Sequence, residues 1–572
     1  MQLLACLKSS PRLTVFAAGL VYALGMVLAF PPFDCWPLVF VCCVPLFWVI
    51  STSILKPRTL ALFAAMGVLP FWLYEEFWIS RITGAGYIPM CLLLVLYAFA
   101  QVYLTTVVMR WRQLKYCAIP AAVVWCGINV LRGEVIADGY PWYIEGHPLA
   151  SAGILANFGA IVGAYGVTFV VLVVNGLIAD GARLRRPLMA GSAVLTIAVM
   201  VAGAFSNLVT YKSNLVSIAC VQTNVAQEIK MGGGIASQVE ELKVLEELTR
   251  KAAVARPDMI VWPETMKPGL SLDAASLQTE REAGLFFRYK DANGTEQRIS
   301  STKFADDLLK MQKEIGVPLI VGEEAFEGLR FPADAQGVRI EYDRRYNSAF
   351  VVKDGTVQAE QYNKLHLTPF GEYMPYIRAW PWLQKQLLAF GANGMSFDLA
   401  EGKQPVQLSV SVPVKDTSGK NADTKREIMI GTPICFEIAD AATVRKLARG
   451  ADVLVTLTND GWFGESDRTR EQHVQLARWR AIETGLPVVR CANTGISCAI
   501  ARNGEFIEAE AGFEAPTARE AGVLLVRLLI PVGSAETVYM KGGWVTPWVI
   551  LAGMFSLFVW GLFGNRQAIG VK

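Results

Sequence analysis

The chain has 572 residues, of which 53% are hydrophobic, and its mean hydropathy is positive, which excludes an ordinary soluble protein. The apolar residues are concentrated before residue 210 and in the last thirty residues, whereas residues 211 to about 540 have the composition of a charged globular domain. The net charge of +3 arises mostly from basic residues in short loops, so it does not indicate a nucleic-acid partner.

Eight apolar segments approach the length of about 20 residues that a transmembrane helix requires. They are 13–31, 35–53, 59–79, 87–109, 117–132, 153–179, 188–208 and 544–563. We therefore predict a membrane domain of about seven transmembrane helices at 1–210 and a globular domain at 211–540. A C-terminal transmembrane helix with a short tail is predicted at 541–572.

Basic residues occur in alternate loops of this membrane region. They precede the first span and follow the second, fourth and sixth, as Lys8, Arg12, Lys56, Arg58, Arg110, Arg112, Lys115, Arg183, Arg185 and Arg186. The other loops hold few bases and several acids. Because cytoplasmic loops are enriched in Lys and Arg, this pattern predicts that both termini are cytoplasmic and that 211–540 lies on the outer side of the membrane.

The globular region alternates strands and helices. Strands are predicted at NLVSIACVQTNV, DMIVWPE, VPLIVGEE, EIMIGTPICFE and DVLVTLTND, and helices at SQVEELKVLEELTRKA, FADDLLKMQKEIG, DAATVRKLARG and REQHVQLARWRAIETG. Hairpin turns are predicted at Asp354-Gly355 and Asn503-Gly504, and the polar stretch VPVKDTSGKNADTKRE is interpreted as a loop. The strands are apolar enough to be covered on both faces, which indicates a layered α/β or α+β domain.

Cysteine and histidine spacing argues against a disulfide framework or a metal site. Of 11 cysteines, four lie in the globular region, in apolar strand-like runs: Cys220, Cys435, Cys491 and Cys498. There is no CxxC pair, and the three histidines are far apart. No loop of the phosphate-binding type is present, so we predict no metal and no cofactor.

Three stretches place reactive side chains directly after apolar runs. They are VWPET with Glu264, YNKLHLTPFGEYMP with Lys364 and Glu372, and PICFE with Cys435 and Glu437. Each alone has an ordinary structural interpretation, because a lone cysteine is most often a small buried hydrophobe. Together they supply a thiol, a carboxylate that can take its proton, and an ammonium that can stabilise a thiolate or an oxyanion.

In this order, the three stretches resemble the Glu-Lys-Cys signature of the nitrilase superfamily. With VQTN, TNDGWFG, QHVQLARWRAIETG and ANTG, and with FPPFDCWPL and GYPWYIEGH in the membrane half, the chain is similar to one branch, the bacterial apolipoprotein N-acyltransferases. The resemblance covers nearly the whole chain. It implies an α-β-β-α sandwich for the globular domain, which would lie in the periplasm, with the helices in the inner membrane.

The resemblance also implies an activity and roles for particular residues. A fatty acyl chain would pass from a phospholipid, with phosphatidylethanolamine the expected donor, through a thioester to the α-amine of a diacylglyceryl-cysteine apolipoprotein. Cys435 would be the nucleophile, Glu264 the general base and Lys364 the oxyanion partner. Glu372 and Glu437 would support them, and Met231, Phe436 and Trp462 would contact substrate. Two positions depart from the family: Met231 replaces a usual Trp, and His147 replaces a usual Tyr.

Three alternatives remain at the level of sequence. A membrane-tethered nitrilase-like amidase would release its acyl group to water. A transporter or scaffold would use the outer domain only to bind a partner, although few ionisable residues lie inside the spans. A Cys-His enzyme is also possible, because His366 and His473 are available, although His366 is only two residues from Lys364 and His473 falls on a predicted helix.

Overall fold

A computed structural model gives the fold of most of the chain. It describes residues 10–206, 213–226, 234–291, 293–334, 337–377, 380, 382, 399–415, 421–533 and 536–569. Met231, one of the predicted substrate contacts, lies outside the described residues.

Residues 10–206 are mostly helical, as their apolar segments predict. The helices are α1 (Pro11–Ala29), α2 (Val44–Thr52), α3 (Pro57–Glu75), α4 (Ile79–Ile82), α5 (Gly84–Trp111), α6 (Ala118–Val130), α7 (Gly159–Leu184) and α8 (Pro187–Ser206). Within the described part of the chain, seven helical segments are long and apolar enough to cross a membrane, six of them here and the seventh at the C-terminus. Their packed core includes residues of the C-terminal helix.

The second predicted span, 35–53, differs from this expectation. It forms a 3-10 helix at Trp36–Phe40 and then the nine-residue α2, so the apolar helical segment is shorter than the others. A proline is the second residue of each piece, and proline is tolerated in a first helical turn but not in a helix interior. Asn175 of α7 pairs with backbone groups at the break between the two pieces. Its side chain accepts from the Cys43 N–H at 2.9 Å and donates to the Val39 carbonyl at 2.8 Å.

The globular region contains sixteen described strands. They are β1 (Ser213–Gln222), β2 (Met259–Val261), β3 (Phe286–Lys290), β4 (Glu296–Ser300), β5 (Leu319–Glu327), β6 (Ala333–Asp334), β7 (Gly337–Val338), β8 (Arg344–Lys353), β9 (Thr356–Asn363), β10 (Leu408–Lys415), β11 (Asn421–Gly431), β12 (Val453–Thr458), β13 (Val488–Ala492), β14 (Cys498–Ile500), β15 (Phe506–Ile507) and β16 (Gly522–Pro531). Twelve of them form two six-stranded sheets, in the orders β16-β1-β2-β5-β8-β9 and β10-β11-β12-β13-β14-β15.

Helices cover the outer face of each sheet. The remaining described α-helices are α9 (Ile235–Val254), α10 (Ala274–Ala283), α11 (Lys303–Ile315), α12 (Ala441–Ala448), α13 (Asp467–Thr484), α14 (Val538–Lys541) and α15 (Thr546–Ile569). One apolar core lies between the two sheets. A second packs α9, α10 and α11 on the first sheet, and a third packs α12 and α13 on the second. This is an α-β-β-α sandwich, as the sequence resemblance implies.

The two predicted hairpin turns are confirmed, and one predicted loop is wrong in part. Asp354 and Gly355 both have positive φ between β8 and β9, and Gly504 has positive φ between β14 and β15. In contrast, much of VPVKDTSGKNADTKRE belongs to β10 and β11, which pair antiparallel. Polarity alone was a poor guide there because β10 is the edge strand and β11 pairs with β12 at Ile430 and Gly431, so the polar part of the hairpin lies at the margin of the sheet, where charged side chains can reach water.

The membrane half and the sandwich pack directly against each other through α13. The indole N–H of Trp479 donates to the backbone carbonyl of His147 at 2.9 Å. His147 is the position at which the related family usually has Tyr. The Glu483 carboxylate accepts the Ala164 N–H of α7 at 2.8 Å. The residue that follows the predicted nucleophile, Phe436, belongs to the apolar core of the membrane half. The predicted site therefore lies at this junction.

Candidate active site

Cys435 lies where the chain leaves the second sheet. After β11 ends, Ile434 forms a parallel bridge with Leu457 of β12. Cys435 then has a φ of 51° and begins the 3-10 helix Cys435–Ile438. A positive φ is uncommon for a residue with a side chain. The turn leaves Cys435 partly accessible, while the residues on both sides of it are buried.

Glu264 follows β2 of the first sheet and is buried. Its Oε1 accepts from the Asn347 side chain at 2.7 Å, and its Oε2 accepts from the backbone N–H of Asn459 at 3.0 Å. The neighbouring β5 approaches so closely that a Cβ at Gly322 would lie 2.6 Å from the Pro263 carbonyl oxygen. The carboxylate is therefore held in one orientation by both sheets.

Lys364 follows β9 and is fully buried. Its Nζ lies 2.9 and 2.8 Å from the two oxygens of Glu372 and 3.8 Å from Glu264 Oε1. Burial opposes the ammonium charge, but the two carboxylates outweigh it and raise the pKa of Lys364 above its ordinary value. Burial likewise opposes the charge of Glu372, yet Lys364 lowers the pKa of that carboxyl. The pair is therefore ionised at neutral pH.

The charges of Glu264 and Lys364 both act on the Cys435 thiol. Burial, and then the negative charge of Glu264, raise the pKa of Cys435 to about 12, although Lys364 acts in the opposite direction. The resting thiol is thus neutral at physiological pH. A nucleophile of this kind needs a base that removes its proton during attack, and Glu264 is a carboxylate whose charge acts directly on the thiol.

Glu437 joins the Lys364 loop to the Cys435 turn. Its Oε1 accepts from the Tyr362 hydroxyl at 2.7 Å and from the backbone N–H groups of Leu365 and His366 at 2.7 and 2.9 Å. Its Oε2 accepts the Ile434 N–H at 2.7 Å. The predicted supporting acids therefore differ in position, since Glu372 pairs with Lys364 and Glu437 fixes the two loops relative to each other.

The other two predicted substrate contacts, Phe436 and Trp462, differ in exposure. Phe436 is buried between Trp142 of the membrane half, stacked at 5.7 Å between ring centroids, and His366, also at 5.7 Å. Trp462 lies in the 3-10 helix Asp460–Phe463 and is partly exposed. A substrate could reach Trp462 without rearrangement, whereas the ring of Phe436 is covered.

Both candidate histidines are paired with carboxylates. His366 Nδ1 lies 3.1 Å from Asp440, and His473 Nδ1 lies 3.1 Å from Asp460. Asp440 raises the pKa of His366 although burial opposes it, whereas burial and Arg490 lower the pKa of His473. The charges that act most strongly on the thiol belong to Glu264 and Lys364, so these contacts favour a Glu-Lys-Cys site over a Cys-His site.

Sequence reasoning missed the groups that orient Glu264. Asn347 lies within β8, and Asn459 directly follows β12 in the TND stretch. Asn459 could have been predicted as a site residue, because it is a polar residue that directly follows a buried strand. Nothing local distinguishes Asn347, whose role depends on the pairing of β8 with β5.

A family model for carbon-nitrogen hydrolases matches residues 217–527, more than half of the chain. The chain belongs to the carbon-nitrogen hydrolase family. A second model, for the N-terminal domain of apolipoprotein N-acyltransferases, matches residues 7–177. The two matches follow one another as the sequence resemblance predicted, and that resemblance is confirmed.

Curated relatives of this chain include apolipoprotein N-acyltransferases. One from Haemophilus ducreyi is 26% identical and covers 96% of this chain and 97% of the relative. One from Geobacter metallireducens is 28% identical and covers 75% of this chain and 71% of the relative. A solved amidase from Nesterenkonia sp. aligns at 16% identity with a TM-score of 0.35, covering 59% of this chain and 95% of the amidase. The protein is an acyltransferase of this family and, with its apolar helices, a multi-pass membrane protein.

Proposed function

We propose that this enzyme transfers a fatty acyl chain from a membrane phospholipid to the N-terminal α-amine of a diacylglyceryl-cysteine apolipoprotein. Cys435 is the nucleophile, Glu264 the general base and Lys364 the oxyanion partner. The names of the relatives support the acceptor, and phosphatidylethanolamine is the donor that we expect. No cofactor takes part in this scheme.

One observation carries the proposal: a Glu-Lys-Cys constellation lies against the membrane half. Glu264 and Lys364 act on the Cys435 thiol, and the next residue, Phe436, stacks on Trp142, which follows α6. Both proposed substrates are anchored in lipid. Because the catalytic turn packs on the membrane helices, Cys435 lies close to where lipid-anchored substrates are held. An enzyme that acts on soluble amides would have no need of this position.

The first half-reaction forms a thioester. As Cys435 Sγ attacks the ester carbonyl, its proton passes to Glu264, and the oxyanion lies beside the Lys364 ammonium. The C–O bond of the ester then breaks. The lysophospholipid alkoxide takes the proton from Glu264 and leaves as an alcohol, and the acyl chain remains on sulfur.

The second half-reaction passes the acyl chain to the amine. The neutral α-amine attacks the thioester carbonyl, a C–N bond forms and the C–S bond breaks. Glu264 accepts a proton from the nitrogen and returns it to the thiolate. The thioester conserves the acyl-transfer potential, so no nucleotide is consumed, and one nucleophile serves both steps in a ping-pong sequence.

The acceptor decides between this function and its alternatives. We expect enzyme supplied with phospholipid and a diacylglyceryl-cysteinyl peptide to yield N-acylated peptide and lysophospholipid in equal amounts, as measured by mass spectrometry. Equal release of free fatty acid with and without peptide would instead identify an amidase-like hydrolase. Lipid binding with neither product would identify a scaffold or transporter.

Lys364→Met should damage turnover far more than His366→Ala. The lysine forms ion pairs with two carboxylates and would stand beside the developing oxyanion. Loss of one such donor costs about 10²–10³-fold. Initial rates of peptide acylation on folded, purified variants provide the measurement. If His366→Ala were the more damaging change, a Cys-His mechanism would replace this one.

The enzyme's orientation is a separate prediction. We propose that it lies in the bacterial inner membrane, with residues 211–540 in the periplasm and both termini in the cytoplasm, because basic residues occur in alternate loops. A reporter inserted after residue 210 should behave as periplasmic, and one fused at residue 572 as cytoplasmic. The opposite pattern would put the site on the wrong side of the membrane for this function.

A further inference from the structure

The turn that follows β12 contacts the proposed base and lies against the proposed nucleophile. We call it the TND turn: Thr458, Asn459 and Asp460. Asn459 donates its backbone N–H to Glu264 Oε2 at 3.0 Å, so the middle residue of the turn holds the base. The first residue, Thr458, is fully buried at the end of β12 and carries a hydroxyl group that the Glu-Lys-Cys scheme does not use.

Strand pairing places Thr458 beside Cys435. The residues that precede them, Leu457 and Ile434, form a parallel bridge between β12 and the chain that has just left β11. The chain therefore reaches Thr458 and Cys435 side by side. A hydroxyl at this position can interact with the sulfur without any movement of the backbone.

The groups that face Cys435 affect its thiol in opposite directions. Burial and then the negative charge of Glu264 raise the pKa of Cys435, whereas the positive charge of Lys364 lowers it. Asp460 adds a second negative charge that raises this pKa, and hydrogen bonding with the Thr458 hydroxyl lowers it. Thr458 is therefore an uncharged group that favours the thiolate form of Cys435.

The Thr458 hydroxyl has two acceptors within its surroundings. In this structure it donates to Asp460 Oδ1 at 3.2 Å, which is longer than the usual O–H···O distance of about 2.7–2.8 Å. A hydroxyl has one proton, so it can donate to one acceptor at a time. The sulfur of a neutral thiol is a weak acceptor, but hydrogen bonds to ionised groups are much stronger. The hydroxyl can therefore turn from Asp460 to Cys435 when negative charge develops on the sulfur.

Asp460 does not depend on Thr458 for its partners. Its Oδ2 accepts from Arg490 Nη2, and His473 Nδ1 lies 3.1 Å from its Oδ1. Burial opposes the charge of Asp460, but Arg490 and His473 outweigh it and lower the pKa of this carboxyl. The Asp460 backbone N–H also donates to the Thr494 carbonyl at 3.1 Å. Asp460 thus stays ionised, paired and fixed in place when the Thr458 hydroxyl turns away.

We propose that Thr458 is a further catalytic residue, whose hydroxyl donates a hydrogen bond to the Cys435 sulfur while that atom carries negative charge. This inference rests on the proposed function, since Cys435 is the nucleophile of that reaction. In the first half-reaction the hydrogen bond stabilises the sulfur as its proton passes to Glu264. In the second it stabilises the thiolate that leaves as the C–S bond breaks. Thr458 keeps its own proton throughout, so the proton transfers of both steps are unchanged.

Thr458→Val tests this role, because it replaces only the hydroxyl with a methyl group. Full-length enzyme in mixed micelles is given phosphatidylethanolamine without an acceptor, and the initial rate of thioester formation on Cys435 is measured by mass spectrometry. We expect a loss of about 10–100-fold, the range for one hydrogen bond to a charged group. Thr458→Ser keeps the hydroxyl and should retain most of the wild-type rate.

Iodoacetamide labelling of Cys435 separates this role from general damage to the site. The thiolate is the reactive form, so loss of a donor to it should lower the labelling rate of Thr458→Val at every pH below the thiol pKa. Damage that loosens the packing would expose the sulfur and raise the labelling rate. Removal of the negative charge of Glu264 should also raise it, so the two substitutions are expected to have opposite effects.

Thr456→Val is the matched control. Thr456 lies two residues earlier in β12, so its side chain is on the same face of the strand as that of Thr458. It is also fully buried, and within the described part of the chain its hydroxyl has no hydrogen-bond partner. Thr456→Val should therefore leave the rates of thioester formation and of labelling unchanged.

The outcomes separate this inference from the proposed function. Wild-type rates in folded Thr458→Val would overturn the role of Thr458, and so would an equal loss in Thr458→Ser, because that result would assign the effect to packing. If Thr458→Val fails to fold, Thr458→Ser is compared with Thr458→Ala, and equal rates in these two variants would overturn the role. Absence of a thioester in wild type would instead overturn the proposed function, while the labelling rates would still test the contact between Thr458 and the sulfur.

Discussion

Cys435→Ala enzyme should acquire no acyl chain from phospholipid, whereas wild type without an acceptor should gain one fatty-acyl mass on the peptide that contains GTPICFEIAD. The ester must be opened before an amine can receive the chain, and one nucleophile offers one place to hold it. Neutral hydroxylamine should remove the adduct. Adding a diacylglyceryl-cysteinyl peptide should discharge it to the α-amine, as followed by mass spectrometry.

The other cysteines of the sandwich provide the control for this experiment. Cys491 and Cys498 are buried in β13 and β14, and burial raises the pKa of both thiols above the ordinary value. Serine at either position should leave the Cys435 adduct in place. An adduct on Cys491 or Cys498, or full transfer activity in Cys435→Ala, would show that the nucleophile has been assigned to the wrong residue.

Glu264→Gln should fold normally and lose activity by about 10²–10⁴-fold, the usual contribution of a general base. The amide keeps the shape of the side chain, but it cannot take a proton. Its one oxygen can replace either the carboxylate oxygen that accepts from Asn347 or the one that accepts from the Asn459 N–H, so one of these two hydrogen bonds is lost. Glu360→Gln makes the same change on an exposed part of β9 and should leave turnover unaltered. Near wild-type turnover in well-folded Glu264→Gln would remove Glu264 from this role.

Thiol alkylation distinguishes loss of a base from general damage to the site. The negative charge of Glu264 helps to raise the pKa of Cys435, so its removal should shift thiol ionisation to lower pH. The rate of iodoacetamide labelling of Glu264→Gln should therefore begin to rise at a lower pH than in wild type, although turnover has fallen. An unchanged labelling profile would mean that the two groups are not electrostatically coupled.

Local sequence was sufficient to predict most elements and to propose three candidate site residues, which the structure places close together. The long apolar segments of the membrane half and the buried strands of the sandwich form where the pattern predicts, because apolar periodicity depends mainly on which faces must avoid water. Glu264, Lys364 and Cys435 each follow a strand, and the family motifs around them supplied their order. The short α2 and the β10–β11 hairpin were not predicted. The break before α2 depends on hydrogen bonds from the distant Asn175. The hairpin lies at the margin of its sheet, where charged residues are tolerated in strands.

Only the tertiary structure decided how these residues meet and what surrounds them. Glu437 was predicted as one more supporting acid, yet it fixes two loops through four hydrogen bonds. The Asn347 contact with Glu264 depends on the pairing of β8 with β5, which brings together parts of the chain that are distant in sequence. A carboxylate's neighbours determine whether it braces a loop, neutralises a lysine or takes a proton. Composition and spacing specify the residue type, but long-range packing specifies the neighbours.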